Sequence, residues 1–151
     1  MPSRLIRPLS LLIGLFLTLA PSLQAQDTPN FNPERFNIEL GLMLPATYPL
    51  KTLSYGYYIT LQNDTASVCL PYIGRVYQPG FDCDGLTFNL PVKQYNVTTQ
   101  GNDTKVEFKV KKAAATYRFV VTAYPDGRAD ILMTPEHAQS ISYSGSWNNG
   151  R

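Results

Sequence analysis

The chain carries one histidine, His137, preceded by Pro135-Glu136. A Ser–His–Asp triad needs a base that the fold holds against a nucleophile. Serines and aspartates are numerous, but no Gly-x-Ser-x-Gly elbow presents one of them. Paired carboxylates would have to come from Glu39, Asp64, Asp82, Asp84, Asp103, Glu107, Asp126 and Asp130. Most of these stand in turn-like segments, where Asp bonds its own backbone. Asp82-Cys83-Asp84 offers oxygen ligands for calcium, without the spaced ligand loop that such a site uses. Phosphate loops, dinucleotide fingerprints and zinc motifs are absent. The expectation is a non-enzymatic protein with no catalytic residues, no metal and no cofactor.

Two cysteines, Cys69 and Cys83, are the other reactive groups. In an oxidising compartment they allow one intrachain pairing. A bridge would close a loop of about 15 residues, contributing about 3 kcal/mol by loop entropy. Free thiols and metal ligation are the alternatives, and two sulfurs without a nearby histidine make a poor zinc site. A structural disulfide is the favoured reading. Ten Tyr and seven Phe form an unusually aromatic set. Aromatic walls with a few hydroxyls suit an apolar or amphipathic ligand, and they equally suit a tyrosine-rich core with cross-strand pairs. The ligand-binding candidates are Tyr55, Tyr57, Tyr72, Phe81, Phe88 and Tyr143.

The elements that would position these residues are strands. Leu53, Tyr55, Tyr57, Ile59 and Leu61 alternate with polar or small residues, so all five are expected on one face. Asn63-Asp64 then reads as a tight turn into Thr65–Leu70, which Pro71 stops. Further alternating sets are Val106/Phe108/Val110, Tyr117/Phe119/Val121/Ala123, Ala129/Ile131/Met133 and Ile141/Tyr143. Pro125-Asp126-Gly127 is a turn, and additional strands are expected over Phe36–Leu44 and Lys93–Gln100. The segment from Leu70 to Phe88 breaks the rhythm with Pro71, Gly74, Pro79, Gly80 and Gly85, and reads as a long, apolar connection. No helical period is convincing. An antiparallel meander of about eight short strands must close or pack on itself, which leaves a barrel or a β-sandwich.

Residues 1–25 read as a secretory signal. Arg4 and Arg7 precede the apolar run Leu9–Ala20, and Leu23-Gln24-Ala25 offers cleavage before Gln26. The run is shorter than the roughly 20 residues of a membrane span. Residues 26–35 form an extended leader outside the core, and 36–147 a single domain. The location expected is periplasmic or secreted, with no transmembrane span after cleavage. Thirteen Lys and Arg face eleven Asp and Glu. Losing Arg4 and Arg7 leaves eleven of each, so the mature chain has no electrostatic footprint for nucleic acid. Lys105, Lys109, Lys111 and Lys112 cluster, three of them alternating with apolar residues as a solvated strand face does.

Three motifs in order carry a family resemblance: Leu70-Pro71-Tyr72-Ile73-Gly74, Asp84-Gly85-Leu86-Thr87-Phe88, and Gln139-Ser140-Ile141-Ser142-Tyr143-Ser144-Gly145. They resemble the domain of unknown function 4251 family, small exported proteins of Bacteroidota, over roughly Phe36 to Gly145. The resemblance implies a lipocalin-like antiparallel β-barrel and no established activity. Where members tend to have Asn-Arg before the Gln, this chain has His137-Ala138, so a contact made by that Arg is missing. Two functions are expected from the whole. One is a binding module for a small apolar ligand or a peptide. The other is a cell-envelope interaction or structural domain without a ligand cavity, its partner unknown.

Overall fold

The structure, a computed structural model, describes residues 30–72 and 85–150. Nine strands follow in chain order: β1 Phe36–Pro45, β2 Lys51–Thr52, β3 Tyr58–Gln62, β4 Thr65–Leu70, β5 Leu86–Gln100, β6 Asp103–Lys112, β7 Ala115–Ala123, β8 Arg128–Pro135 and β9 Ile141–Asn148. Every pairing is antiparallel, from β1 through β3 and onward to β9. The ladder Asn37↔Asn148 to Pro45↔Ile141 joins β9 back to β1. Eight strands thus close an up-and-down barrel, with β2 an extra short pairing on β1. Closure removes most of the edges that a sandwich would leave exposed.

The turns follow from local chemistry. Asn63 and Asp64 both have positive φ, 52° and 60°, linking Gln62 to its ladder partner Thr65. That is the backbone a two-residue hairpin uses, and Asn and Asp tolerate it. Gly127, with φ 90°, closes the Pro125-Asp126-Gly127 turn, where the Asp126 carboxylate accepts from the Arg128 amide at 3.1 Å.

Inward parity holds over β6 to β9. Val106, Phe108, Val110, Tyr117, Phe119, Val121, Ala123, Ala129, Ile131, Met133, Ile141 and Tyr143 are all buried. They meet Phe36, Ile38, Met43, Ile59, Leu61 and Val68 in one continuous core. Phe108 stacks on Phe119, centroids 5.2 Å apart.

Three segments carry irregularities that simple alternation does not announce. In β1 the register with β9 slips between Leu40 and Leu42. The extra residue, Gly41, flips the parity, so Leu40 and Met43 face inward while Leu44 is exposed. Opposite that bulge, the expected strand through Leu53, Tyr55 and Tyr57 is broken. Gly56 takes φ +109°, Tyr55 leaves the wall, and β3 begins only at Tyr58. Finally, Lys93–Gln100 is the second half of a fifteen-residue strand that begins at Leu86. A bulge between Lys93 and Asn96, with Gln94 at φ 53°, interrupts its register with β6.

The leader, expected outside the core, contributes to it from residue 30 on. Phe31 packs on Phe36 and edge-on against Trp147, both with centroids 5.1 Å away. Asn149 ties it down by accepting from the Asn32 amide and donating to the Asn30 carbonyl. Trp147 donates its indole N–H to the Tyr124 carbonyl at 2.8 Å. One end of the barrel is therefore stoppered by aromatic rings. Residues 1–29, including the expected signal, lie outside the described residues.

Candidate functional site

The six aromatic candidates divide between two places. Tyr72, Phe88 and Tyr143 belong to the barrel interior, with exposures of 7%, 8% and 1%. Phe88 lies on β5, not in a loop, and its ring sits 6.2 Å from those of Tyr117 and Phe119. Tyr55 and Tyr57 lie at the break between β2 and β3, where Tyr55 is 95% exposed and Tyr57 is half-buried against the core. Phe81 lies outside the described residues, as do Ile73, Gly74 and the Asp82-Cys83-Asp84 run.

In the interior, two tyrosines cross-brace the end where β4 leaves the barrel. The Tyr143 hydroxyl donates to the Pro71 carbonyl at 2.6 Å. The neighbouring Tyr72 hydroxyl donates to the Gln139 carbonyl at 2.7 Å. Each ring is buried while its polar tip is satisfied, the arrangement buried tyrosine requires. Burial, then the adjacent Tyr72, push the Tyr143 phenol well above its ordinary value, so it stays a neutral donor. The Leu-Pro-Tyr and Gln-Ser-Ile-Ser-Tyr-Ser-Gly motifs are thus the two halves of one latch. Gly145 completes the second half, because a Cβ there would collide with the Glu39 carbonyl oxygen and lie 3.0 Å from the Leu40 Cα. Ala138, where the resemblance expects Arg, is buried in the core cluster.

Among the described residues no buried side-chain polar atom lacks a partner, and no polar residue is fully buried. His137 Nε2 stands 4.0 Å from Glu136 Oε2, and Glu136 in turn accepts from the Thr116 amide. No three His, Cys, Asp or Glu side chains gather as a metal site among the described residues. Cys69 is a free thiol, with Thr87 Oγ1 4.0 Å from its sulfur. No disulfide is found among the described residues. Cys69 faces outward in the ladder between Tyr58 and Thr87, and Cys83 lies outside the described residues.

Outside the barrel, a hollow of about 310 Å³ sits beneath the strand break, lined by Asn37, Glu39, Leu40, Tyr55, Gly56, Tyr57 and Tyr58. Two backbone bonds frame it: Leu53 N–H to the Gly41 carbonyl at 2.8 Å and Leu40 N–H to the Tyr57 carbonyl at 3.0 Å. Glu39 stands opposite Tyr58 in the β1–β3 ladder, and Asn37 opposite Thr60, whose hydroxyl donates to the Asn37 side-chain oxygen Oδ1 at 2.6 Å. Sequence reasoning named Tyr55 and Tyr57 as ligand-binding candidates, saw Tyr58 beside them and Glu39 only as a carboxylate, and missed Asn37. Gly56 between two tyrosines was the available signal that the strand breaks there. A second hollow of about 560 Å³ lies on the outer wall, where Leu44, Val120 and Leu132 come together.

The comparisons agree with this architecture. A crystal structure of a DUF4251 family protein from Bacteroides eggerthii is similar with a TM-score of 0.62 and 14% identity. The likeness covers 78% of this chain and 80% of that one, and it carries the fold alone. No curated protein sequence matches the chain. The model of the family described as domain of unknown function (DUF4251) matches residues 30–147, and so the chain whose latch joins those motifs belongs to that family.

Proposed function

We propose that this is an exported, non-enzymatic domain of the cell envelope that engages its partner through the outer wall of the barrel. The observation that carries this reading is the filled interior. Phe36, Phe108, Phe119, Met133 and Tyr143 occupy the space that an apolar ligand would need, all of them fully buried. A barrel of eight strands is just wide enough either to be filled by its own side chains or to hold one small ligand, and here the side chains take the space. On the outside, the side chains of Glu39, Tyr55, Tyr57 and Tyr58 gather at the break between β2 and β3. Export is supported by the sequence of residues 1–25, and no helix among the described residues is long and apolar enough to cross a membrane.

Native mass spectrometry of the protein purified from its own cells tests both parts. The expected spectrum shows a chain beginning at Gln26, with no apolar molecule retained. A chain that keeps residues 1–25 would overturn export. A lipid-like added mass that is lost only on unfolding would overturn the filled-barrel reading.

A further inference from the structure

The hollow at the strand break has a distinctive chemistry. Tyr55, Tyr57 and Tyr58 line it together with the carboxylate-bearing Glu39, Tyr57 from the side that packs on the core, and no basic residue does. None of these four side chains has a hydrogen-bond or ion-pair partner among the described residues. The ladder neighbours of Glu39 are Tyr58 and Ser146, neither of which brings a positive charge. Arg128, one strand further on opposite Ser146, is held by Asp126 at 2.6 Å. Tyr55 gains nothing from the fold at its exposed position, yet Gly56 at φ +109° turns the backbone so that the ring stands clear of the wall. A carboxylate lying among aromatic faces attracts a positive charge twice, by the ring quadrupoles and by direct Coulomb attraction. Anions are repelled there, and the hollow is near the lower limit of size for a ligand pocket.

From this juxtaposition we infer that the hollow binds a small organic cation of the alkylammonium class. This rests on the reading that the outer wall is the working surface. The aromatic faces would receive the apolar shell of the cation, and Glu39 would neutralise its charge. The Asn37 side-chain NH2 is available to a polar substituent, since its Oδ1 is already held by the Thr60 hydroxyl.

The test is an NMR titration of the purified protein with choline and with its neutral carbon isostere, in which a tert-butyl group replaces trimethylammonium. Saturable choline binding in the millimolar range is expected, with shifts confined to the Tyr55–Tyr58 segment and to Asn37 and Glu39. Glu39→Gln and Tyr55→Ala should each weaken it by about fivefold. Both positions are exposed, so circular dichroism should show both variants folded. Equal binding of the neutral isostere, no saturation by choline, or no loss in Glu39→Gln would each overturn the inference. Saturation by a neutral oligosaccharide in place of choline would do the same. None of these outcomes bears on the interior, which the native mass spectrum reads separately.

Discussion

Replacing Tyr143 by Phe removes one oxygen atom and leaves the ring in place. The position is 1% exposed, and its hydroxyl is the donor to the Pro71 carbonyl at 2.6 Å. The variant loses that bond and strands a carbonyl at the barrel end, which together cost about 1–3 kcal/mol. For a domain of this size that corresponds to a fall in Tm of roughly 3–10 °C. Tyr72→Phe breaks the reciprocal bond to Gln139, and because the two phenols adjoin, the losses should not add. A double-mutant cycle measured by urea denaturation should give a coupling above about 0.5 kcal/mol. Tyr55→Phe, at an exposed hydroxyl without an internal partner, serves as the control and should leave the midpoint unmoved. If Tyr143→Phe stayed within about 0.3 kcal/mol of the parent, the hydroxyls would not be holding the barrel end and the two motifs would need another explanation.

Alkaline titration reads the same latch in a second way. The folded Tyr143 phenol ionises above its unfolded value, so its contribution is fully present below about pH 10 and is lost as pH rises from there through the folded value. Stability should fall by about 1.4 kcal/mol per pH unit for this group, and Tyr143→Phe should remove that part of the slope in denaturation measured above pH 10. Gly145→Ala should destabilise by about 3 kcal/mol or more, because its Cβ meets backbone atoms of Glu39 and Leu40 that a rotamer change cannot move. A soluble, cooperatively melting variant with an unchanged midpoint would contradict this close approach. Phe31→Ala should lower stability by about 2 kcal/mol in thermal melts, since the ring joins Phe36 and Trp147 at the stoppered end.

What the sequence determined by itself was the set of local patterns. Alternation placed Val106 to Val110, Tyr117 to Ala123 and Ala129 to Met133 inward, because a strand has a period of two whatever its neighbours are. Asn63-Asp64 and Pro125-Asp126-Gly127 announced turns through their own backbone preferences. The family motifs were legible as strings of residues, but not as the two halves of a brace. Pro71 and Tyr143 are far apart in the chain, and only closure of β9 onto β1 brings their ends of the barrel together. The same holds for the breaks in pattern. Gly41 flips the parity of β1 because β9 tolerates one extra residue there, and that bulge is matched by the excursion of Tyr55 across the ladder. Glu39 could not be grouped with Tyr55, Tyr57 and Tyr58 from sequence, since cross-strand register made them neighbours. Tertiary structure alone decided that the interior is filled, because whether aromatic side chains line a cavity or occupy it depends on barrel radius, which periodicity does not encode.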